Sequence, residues 1–112
     1  MNPLLALAFA IVSEVAGTAA LKASDGFTDP VAGAVVAVGY GGAFSLLSLA
    51  LEELPVGFVY ATWSGAGICG AVAVGVVVFD EGVDHAALVG LALIVSGVVV
   101  LSAYSTAYSP AH

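Results

Sequence analysis

A single acidic residue, Glu14, interrupts the first apolar stretch of this sequence. The chain has eight Asp and Glu residues, and the other seven fall in short segments between apolar stretches. In apolar surroundings a carboxyl group favours its neutral form, because burial penalises the charge, and a nearby cation reverses that preference. Glu14 is therefore expected to bind a proton and a cation in alternation, each releasing the other. The structural alternative is a glutamate that only forms a hydrogen bond between helices.

Small side chains accompany Glu14 along one side of a helix. Residues three, four or seven positions apart share a helical face. The small side chains Ala10, Gly17 and Thr18 would leave room beside the carboxylate for a bound cation. The complete face consists of Leu7, Ala10, Ile11, Glu14, Gly17, Thr18 and Leu21.

Aromatic residues recur at helical spacing in two later apolar stretches. Aromatic rings attract organic cations by roughly 0.5 to 2 kcal/mol, and their flat faces bury apolar ligand surface. We therefore expect these residues to line a cation site, with simple packing between helices as the alternative. The two sets are Tyr40, Phe44 and Leu47 in the second stretch, and Tyr60, Trp63 and Ser64, with Gly67, in the third.

The composition indicates that lipid, and not water, surrounds these residues. The chain has 112 residues, of which 62% are hydrophobic and 8% are charged, whereas a soluble domain has about 25% charged residues. Its mean hydropathy is +1.17. A chain this short cannot bury so much apolar surface inside itself. We therefore predict an integral membrane protein.

Four apolar stretches are long enough to cross a bilayer as helices, which takes about 20 residues. They lie at about 4–21, 31–51, 55–79 and 86–104. Backbone groups in hydrocarbon must form hydrogen bonds within the protein, and continuous helices achieve this. We predict an all-α integral membrane fold in which residues 1–112 form a single domain of four transmembrane helices.

The charges exclude one class of partner and suggest a habitat. The formal net charge is −7 and Lys22 is the one basic residue, so no basic patch could bind nucleic acid. Carboxylates occupy every connecting segment. At molar salt the Debye length falls to about 3 Å and their mutual repulsion is screened. A halophilic prokaryote is therefore a hypothesis for the source.

Chemistry other than ion exchange has little support in the sequence. No nucleophile with a base and no cluster of metal ligands occurs within the spans. We expect the protein not to be an enzyme, and to need no metal and no cofactor, with protons as the coupling ion.

Glycines mark two further features of the apolar stretches. Gly65 and Gly67 are candidates for a helix kink that changes which side a central site faces, and close packing against a neighbouring helix is the alternative. Gly90 and Gly97 are seven residues apart and share a face of the fourth stretch. Since four helices can scarcely enclose a substrate path alone, we expect this face to join two subunits.

Together these segments resemble the small multidrug resistance family of proton-coupled exporters, over nearly the whole chain. The resemblance rests on SEVAGT at 13–18, LK at 21–22, SDGFT at 24–28 and PVGFVYATWSGAG at 55–67. It implies an antiparallel homodimer of dual-topology subunits with a dimer contact on the fourth helix. It also implies that Glu14 couples protons to substrate, that Trp63 and Tyr60 wall the shared site, and that Tyr40 borders it.

Two positions of the sequence indicate which branch of the family it resembles more. Guanidinium exporters typically carry tryptophan three residues after the glutamate and threonine after the third-span tryptophan, where this chain has Gly17 and Ser64. The match is closer to exporters of quaternary ammonium compounds and lipophilic dyes. We therefore predict a proton-coupled antiporter of hydrophobic cations in the cell membrane, as a homodimer in lipid. The alternatives are a guanidinium exporter and a non-transporting membrane subunit that binds a partner through Gly90 and Gly97.

Overall fold

The computed structural model describes residues 1–108, and over these residues it contains four α-helices and no strand. The helices are α1 (Pro3–Ala23), α2 (Pro30–Leu51), α3 (Val56–Val78) and α4 (His85–Tyr104). Each is long and apolar enough to cross a membrane. The predicted all-α membrane fold is confirmed.

Short polar side chains begin three of the four helices. The side chains of Asn2, Asp29 and Asp84 each accept a hydrogen bond from a backbone N–H of the following first turn, at 2.8 to 3.2 Å. Such caps satisfy N–H groups that have no partner within the helix, and a carboxylate there also interacts favourably with the helix dipole. Two of the loop carboxylates therefore have a structural role beyond adding charge.

The connection between α1 and α2 is a tight reversal built around Ser24. Its buried hydroxyl donates to the carbonyl oxygen of Leu21 at 2.7 Å and accepts from the N–H of Phe27 at 3.1 Å. Asp25, Gly26 and Phe27 all have positive φ angles, of 50°, 69° and 67°. Glycine adopts such angles without a steric cost, which suits position 26 to the middle of this turn.

The chain divides into two units, Met1–Glu52 with α1 and α2, and a second that begins at Glu53 and contains α3 and α4. In the first unit the helices meet at two glycines. A Cβ added to Gly39 would lie 3.0 Å from the Cα of Gly17 and 3.0 Å from the carbonyl oxygen of Ser13. Small residues allow two backbones to approach this closely in membranes. The contact aligns the middle of α1 with the middle of α2.

In the second unit, Gly65 lies where α3 packs against α4. A Cβ at Gly65 would lie 2.8 Å from Cγ2 of Val98 and 3.3 Å from Cγ2 of Ile94. α3 runs as one continuous helix through both Gly65 and Gly67. The close-packing interpretation thus accounts for Gly65, and a kink that moves the site stays a prediction.

Candidate functional site

Glu14 lies in the middle of α1, partly buried, and is held by a residue of its own helix. The hydroxyl of Thr18, one turn later, donates a hydrogen bond to Oε1 of Glu14 at 3.1 Å. Residues four apart on a helix are neighbours on one face. The spacing therefore places the two side chains on one face, and the hydrogen bond between them is a contact that was not predicted from the sequence.

A second hydrogen bond connects this pair to α2. Thr18 Oγ1 and Tyr40 Oη lie 2.8 Å apart, and either atom could donate. A threonine hydroxyl has one proton. When Thr18 donates to an ionised Glu14, the bond to Tyr40 must run from the tyrosine hydroxyl to Thr18. A protonated Glu14 can instead donate to Thr18, which frees Thr18 to donate to Tyr40.

The close approach of the two backbones positions Tyr40. A Cβ at Gly17 would lie 3.5 Å from both Cδ1 and the backbone nitrogen of Tyr40, so the start of the tyrosine side chain lies against Gly17. The ring of Tyr40 thus passes α1 within van der Waals reach of position 17 and places its hydroxyl at Thr18. Gly39 was not among the predicted site residues, because its partner on α1 is 22 positions away and no local pattern marks the contact.

The other predicted residues of the first unit divide by burial. Leu7 and Ala10 are buried, with 2% and 0% of their surface exposed, and so fill the interior of the unit beside the site. Phe44 is 60% exposed, whereas Leu47 is half-buried. The role of these four residues in contacting substrate stays a prediction.

In the second unit, the predicted aromatic residues lie along α3. Tyr60 is 71% exposed, and Trp63 and Ser64 are half-buried. We call Tyr60, Trp63 and Ser64 the aromatic face of α3. Beside it, the hydroxyl oxygen of Thr62 is buried and has no hydrogen-bond partner among residues 1–108, a feature that the sequence did not indicate.

α4 differs from the other helices in that none of its residues is buried. A Cβ added at either Gly90 or Gly97 would meet nothing within 4 Å. The predicted packing face of α4 is therefore open among residues 1–108. A contact with a second subunit through it stays a prediction.

The sequence matches known proteins over most of its length. The family model for the small multidrug resistance protein matches residues 2–94. The chain is 49% identical over 107 residues to the quaternary ammonium compound-resistance protein QacE of Escherichia coli, covering 96% of this chain and 97% of that protein. A multidrug transporter of Pseudomonas aeruginosa is 46% identical over 107 residues, with the same two coverages.

A further relative comes from another bacterium. The multidrug resistance protein EbrB of Bacillus subtilis is 45% identical over 104 residues, which are 91% of this chain and 87% of that protein. These matches and the four apolar helices make the chain a multi-pass membrane protein and confirm the resemblance drawn from its motifs. The chain belongs to the small multidrug resistance family.

Proposed function

We propose that this chain is a proton-coupled antiporter that exports hydrophobic and quaternary ammonium cations across the cell membrane. The observation that carries the proposal is a carboxylate, Glu14, held inside a membrane-length helix by the hydroxyl of Thr18. Ionisable residues within membrane spans usually mark ion or proton pathways. The name of QacE supports quaternary ammonium compounds as substrates, and the name of the Pseudomonas multidrug transporter supports drug transport.

Competition for one carboxylate supplies the coupling. A neutral Glu14 holds a proton as an O–H group, and an ionised Glu14 offers its charge to an organic cation. The proton and the organic cation cannot be bound at the same time, because the cation needs the negative charge that protonation removes. Thr18 and Tyr40 are neutral, so they orient the carboxyl group in either state without supplying a competing charge. No group beyond protein and proton is needed, and we propose that no metal or cofactor takes part.

The aromatic residues supply the apolar part of cation recognition. Tyr40 lies in hydrogen-bonded contact with the carboxylate through Thr18, and we propose that the aromatic face of α3 forms another wall of the site. Rings bind a delocalised or alkylated cation through both charge and apolar contact. Small hydrated inorganic cations gain little from such walls, which favours organic cations as substrates.

The position of Tyr40 supports quaternary ammonium export over guanidinium export. Its side chain already lies in van der Waals contact with the position of a Cβ at Gly17. The tryptophan typical of guanidinium exporters at this position would therefore displace Tyr40 and break its bond to Thr18. We propose that Gly17 keeps the site open for larger, more apolar cations.

A homodimer is part of the proposal. The open face of α4 at Gly90 and Gly97 has the close-packing character that membrane helix pairs use, and we propose that two antiparallel copies meet there. Gly97→Leu is expected to leave the helical content unchanged and to shift purified protein from dimer to monomer in mass measurements in detergent. An unchanged dimer would place the subunit contact elsewhere. Binding of an unrelated protein to this face of α4 would have the same consequence.

The acidic connecting segments underlie a further proposal, adaptation to salt. Asp29 and Asp84 cap helices, but the net charge of −7 exceeds what capping requires. The proposal of a halophilic source rests on this charge alone. We expect the thermal unfolding midpoint of the detergent-solubilised protein to rise between about 0.1 and 2 M KCl, because the shorter Debye length screens repulsion. An unchanged midpoint would count against it.

The exchange mechanism is tested in proteoliposomes. A gradient with an acidic interior is expected to drive uptake of a lipophilic quaternary ammonium ion. Glu14→Gln should abolish gradient-driven uptake, and Glu14→Asp should reduce it because the shorter side chain loses contact with Thr18. Glu53→Gln, which removes a charge from an exposed connecting segment, is the matched control and should transport like the wild type. Wild-type rates in either Glu14 variant would exclude the mechanism.

A further inference from the structure

Tyr108, beyond the end of α4, lies against the first turn of α3. A Cβ added to Gly57 would lie 2.6 Å from Cδ1 and 2.7 Å from Cε1 of the Tyr108 ring. Such distances leave no space for a methyl group, so the ring occupies the place that a side chain at position 57 would take. The absence of a side chain at Gly57 therefore allows this contact.

A turn held by Ser105 brings Tyr108 to this position. α4 ends at Tyr104, and Ser105 has extended backbone angles of φ −77° and ψ 130°. The hydroxyl of Ser105 then accepts hydrogen bonds from the N–H groups of Ala107 and Tyr108, both at 3.2 Å. These bonds hold a turn after α4, in which Tyr108 lies at the start of α3.

The contact extends the aromatic face of α3 by one more ring. Gly57, Tyr60 and Ser64 are three and seven residues apart, and so share one side of the helix. Tyr60 lies one turn beyond Gly57, a rise of about 4.5 Å along the helix axis. Tyr108 is 48% exposed and Tyr60 is 71% exposed. Both rings therefore have surface left for a ligand.

We infer that Tyr108 is a specificity-determining residue that contacts planar aromatic cations at the end of the aromatic face. The inference rests on the proposed function. A flat aromatic cation gains stacking area from each additional ring, whereas a compact aliphatic ammonium ion has no flat face to stack on the ring of Tyr108. Tyr108 lies outside residues 2–94, the part matched by the family model.

Cation binding to the purified full-length protein tests the inference. The probes are ethidium, which is planar and aromatic, and tetrapropylammonium, which is compact and aliphatic. Tyr108→Ala should weaken ethidium binding about 3- to 10-fold, the range typical of one lost aromatic contact, and change tetrapropylammonium binding less than about twofold. Tyr108→Phe keeps the ring and should bind both cations like the wild type.

Two further variants separate a ligand contact from a structural one. Gly57→Ala should displace the ring of Tyr108 and reproduce part of the loss of ethidium affinity that is expected for Tyr108→Ala. Tyr104→Ala removes a tyrosine that is 78% exposed on the last turn of α4, and should leave both affinities unchanged. Helical content measured on each variant confirms that the chain has folded.

The outcomes are distinct. The inference is overturned if Tyr108→Ala binds ethidium as tightly as the wild type, or if the substitution lowers the affinity for both cations equally. In either case the wild type still binds cations and releases protons, so the proposed function stands. A wild-type protein that binds neither cation would overturn the proposed function and this inference together.

Discussion

The hydroxyl oxygens of Thr18 and Tyr40 lie 2.8 Å apart and connect α2 to the carboxylate of Glu14. The direction of this chain of hydrogen bonds depends on whether Glu14 holds a proton. An ionised Glu14 accepts from Thr18, which then accepts from Tyr40, and a protonated Glu14 allows both bonds to reverse. The protonation state of Glu14 on α1 is thereby linked to the orientation of the Tyr40 hydroxyl on α2.

Thr18→Val is predicted to weaken cation binding about tenfold. Valine has nearly the shape of threonine but cannot donate to the carboxylate, and a hydrogen bond to a charged group contributes about 1.5 to 3 kcal/mol. The lower end applies because the pair is only partly buried. Cation-induced proton release measures the effect. Thr18→Ser should retain binding, and Ser45→Ala, which removes a hydroxyl bonded to its own helix at Gly41, should have no effect.

Tyr40→Phe is predicted to distinguish the contribution of the Tyr40 hydroxyl to cation binding from that of its ring. The ring remains for contact with the cation, but Thr18 loses its partner on α2. We expect affinity for a lipophilic cation to fall about fivefold or less, since one neutral hydrogen bond contributes about 1 kcal/mol, whereas Tyr40→Ala should lower it further. Titration of cation binding at fixed pH is the measurement. Equal losses in the two variants would mean that the ring makes no contact with the substrate.

Gly39→Ala is predicted to destabilise the first unit and to impair transport. Its Cβ would lie 3.0 Å from backbone atoms of α1, which cannot rotate away as a side chain can. Overpacking of this kind typically costs about 1 to 3 kcal/mol. Thermal unfolding in detergent and proteoliposome uptake measure the two effects.

The same helix provides a control for Gly39→Ala. A Cβ at Gly41 meets nothing within 4 Å. Gly41→Ala should be neutral or stabilising by up to about 1 kcal/mol, because alanine favours the helix over glycine. If both variants unfold at the wild-type temperature, α1 and α2 do not meet as closely as described.

Gly65→Ala is predicted to be destabilising unless Val98 is also shortened. The added Cβ would lie 2.8 Å from Cγ2 of Val98, and a β-branched side chain on a helix has little freedom to move away. The double variant Gly65→Ala with Val98→Ala should recover part of the lost stability in thermal unfolding. Such coupling would support close packing at Gly65. Loss of transport with unchanged stability in the single variant would instead support the predicted kink.

Thr62→Val is predicted to leave stability unchanged or to raise it by about 1 kcal/mol. The Thr62 hydroxyl is buried without a hydrogen-bond partner among residues 1–108, and an unsatisfied polar group is unfavourable there. The nearly isosteric valine removes that penalty. A clear loss of thermal stability would show that the hydroxyl has a partner in the assembled protein.

Hydropathy and local spacing along the chain were sufficient to predict the helices and to place Glu14 and Thr18 on one helical face. A membrane helix needs only a long apolar stretch, and residues four apart meet on any helix. The predicted bounds differ from those of the observed helices by at most two residues. Pro55 and Phe79, for example, lie just outside α3 because they are its caps.

The contacts between helices were decided only in the tertiary structure. Gly17 meets Gly39, Thr18 meets Tyr40, and Tyr108 lies against Gly57, each across a separation that no periodic pattern spans. Apolar helices have no polar side to show which face turns toward a neighbour, so the sequence cannot state which of their small residues touch. Close packing of particular atoms determines which small residues touch, and it places the hydroxyl of Tyr40 within hydrogen-bond distance of Thr18.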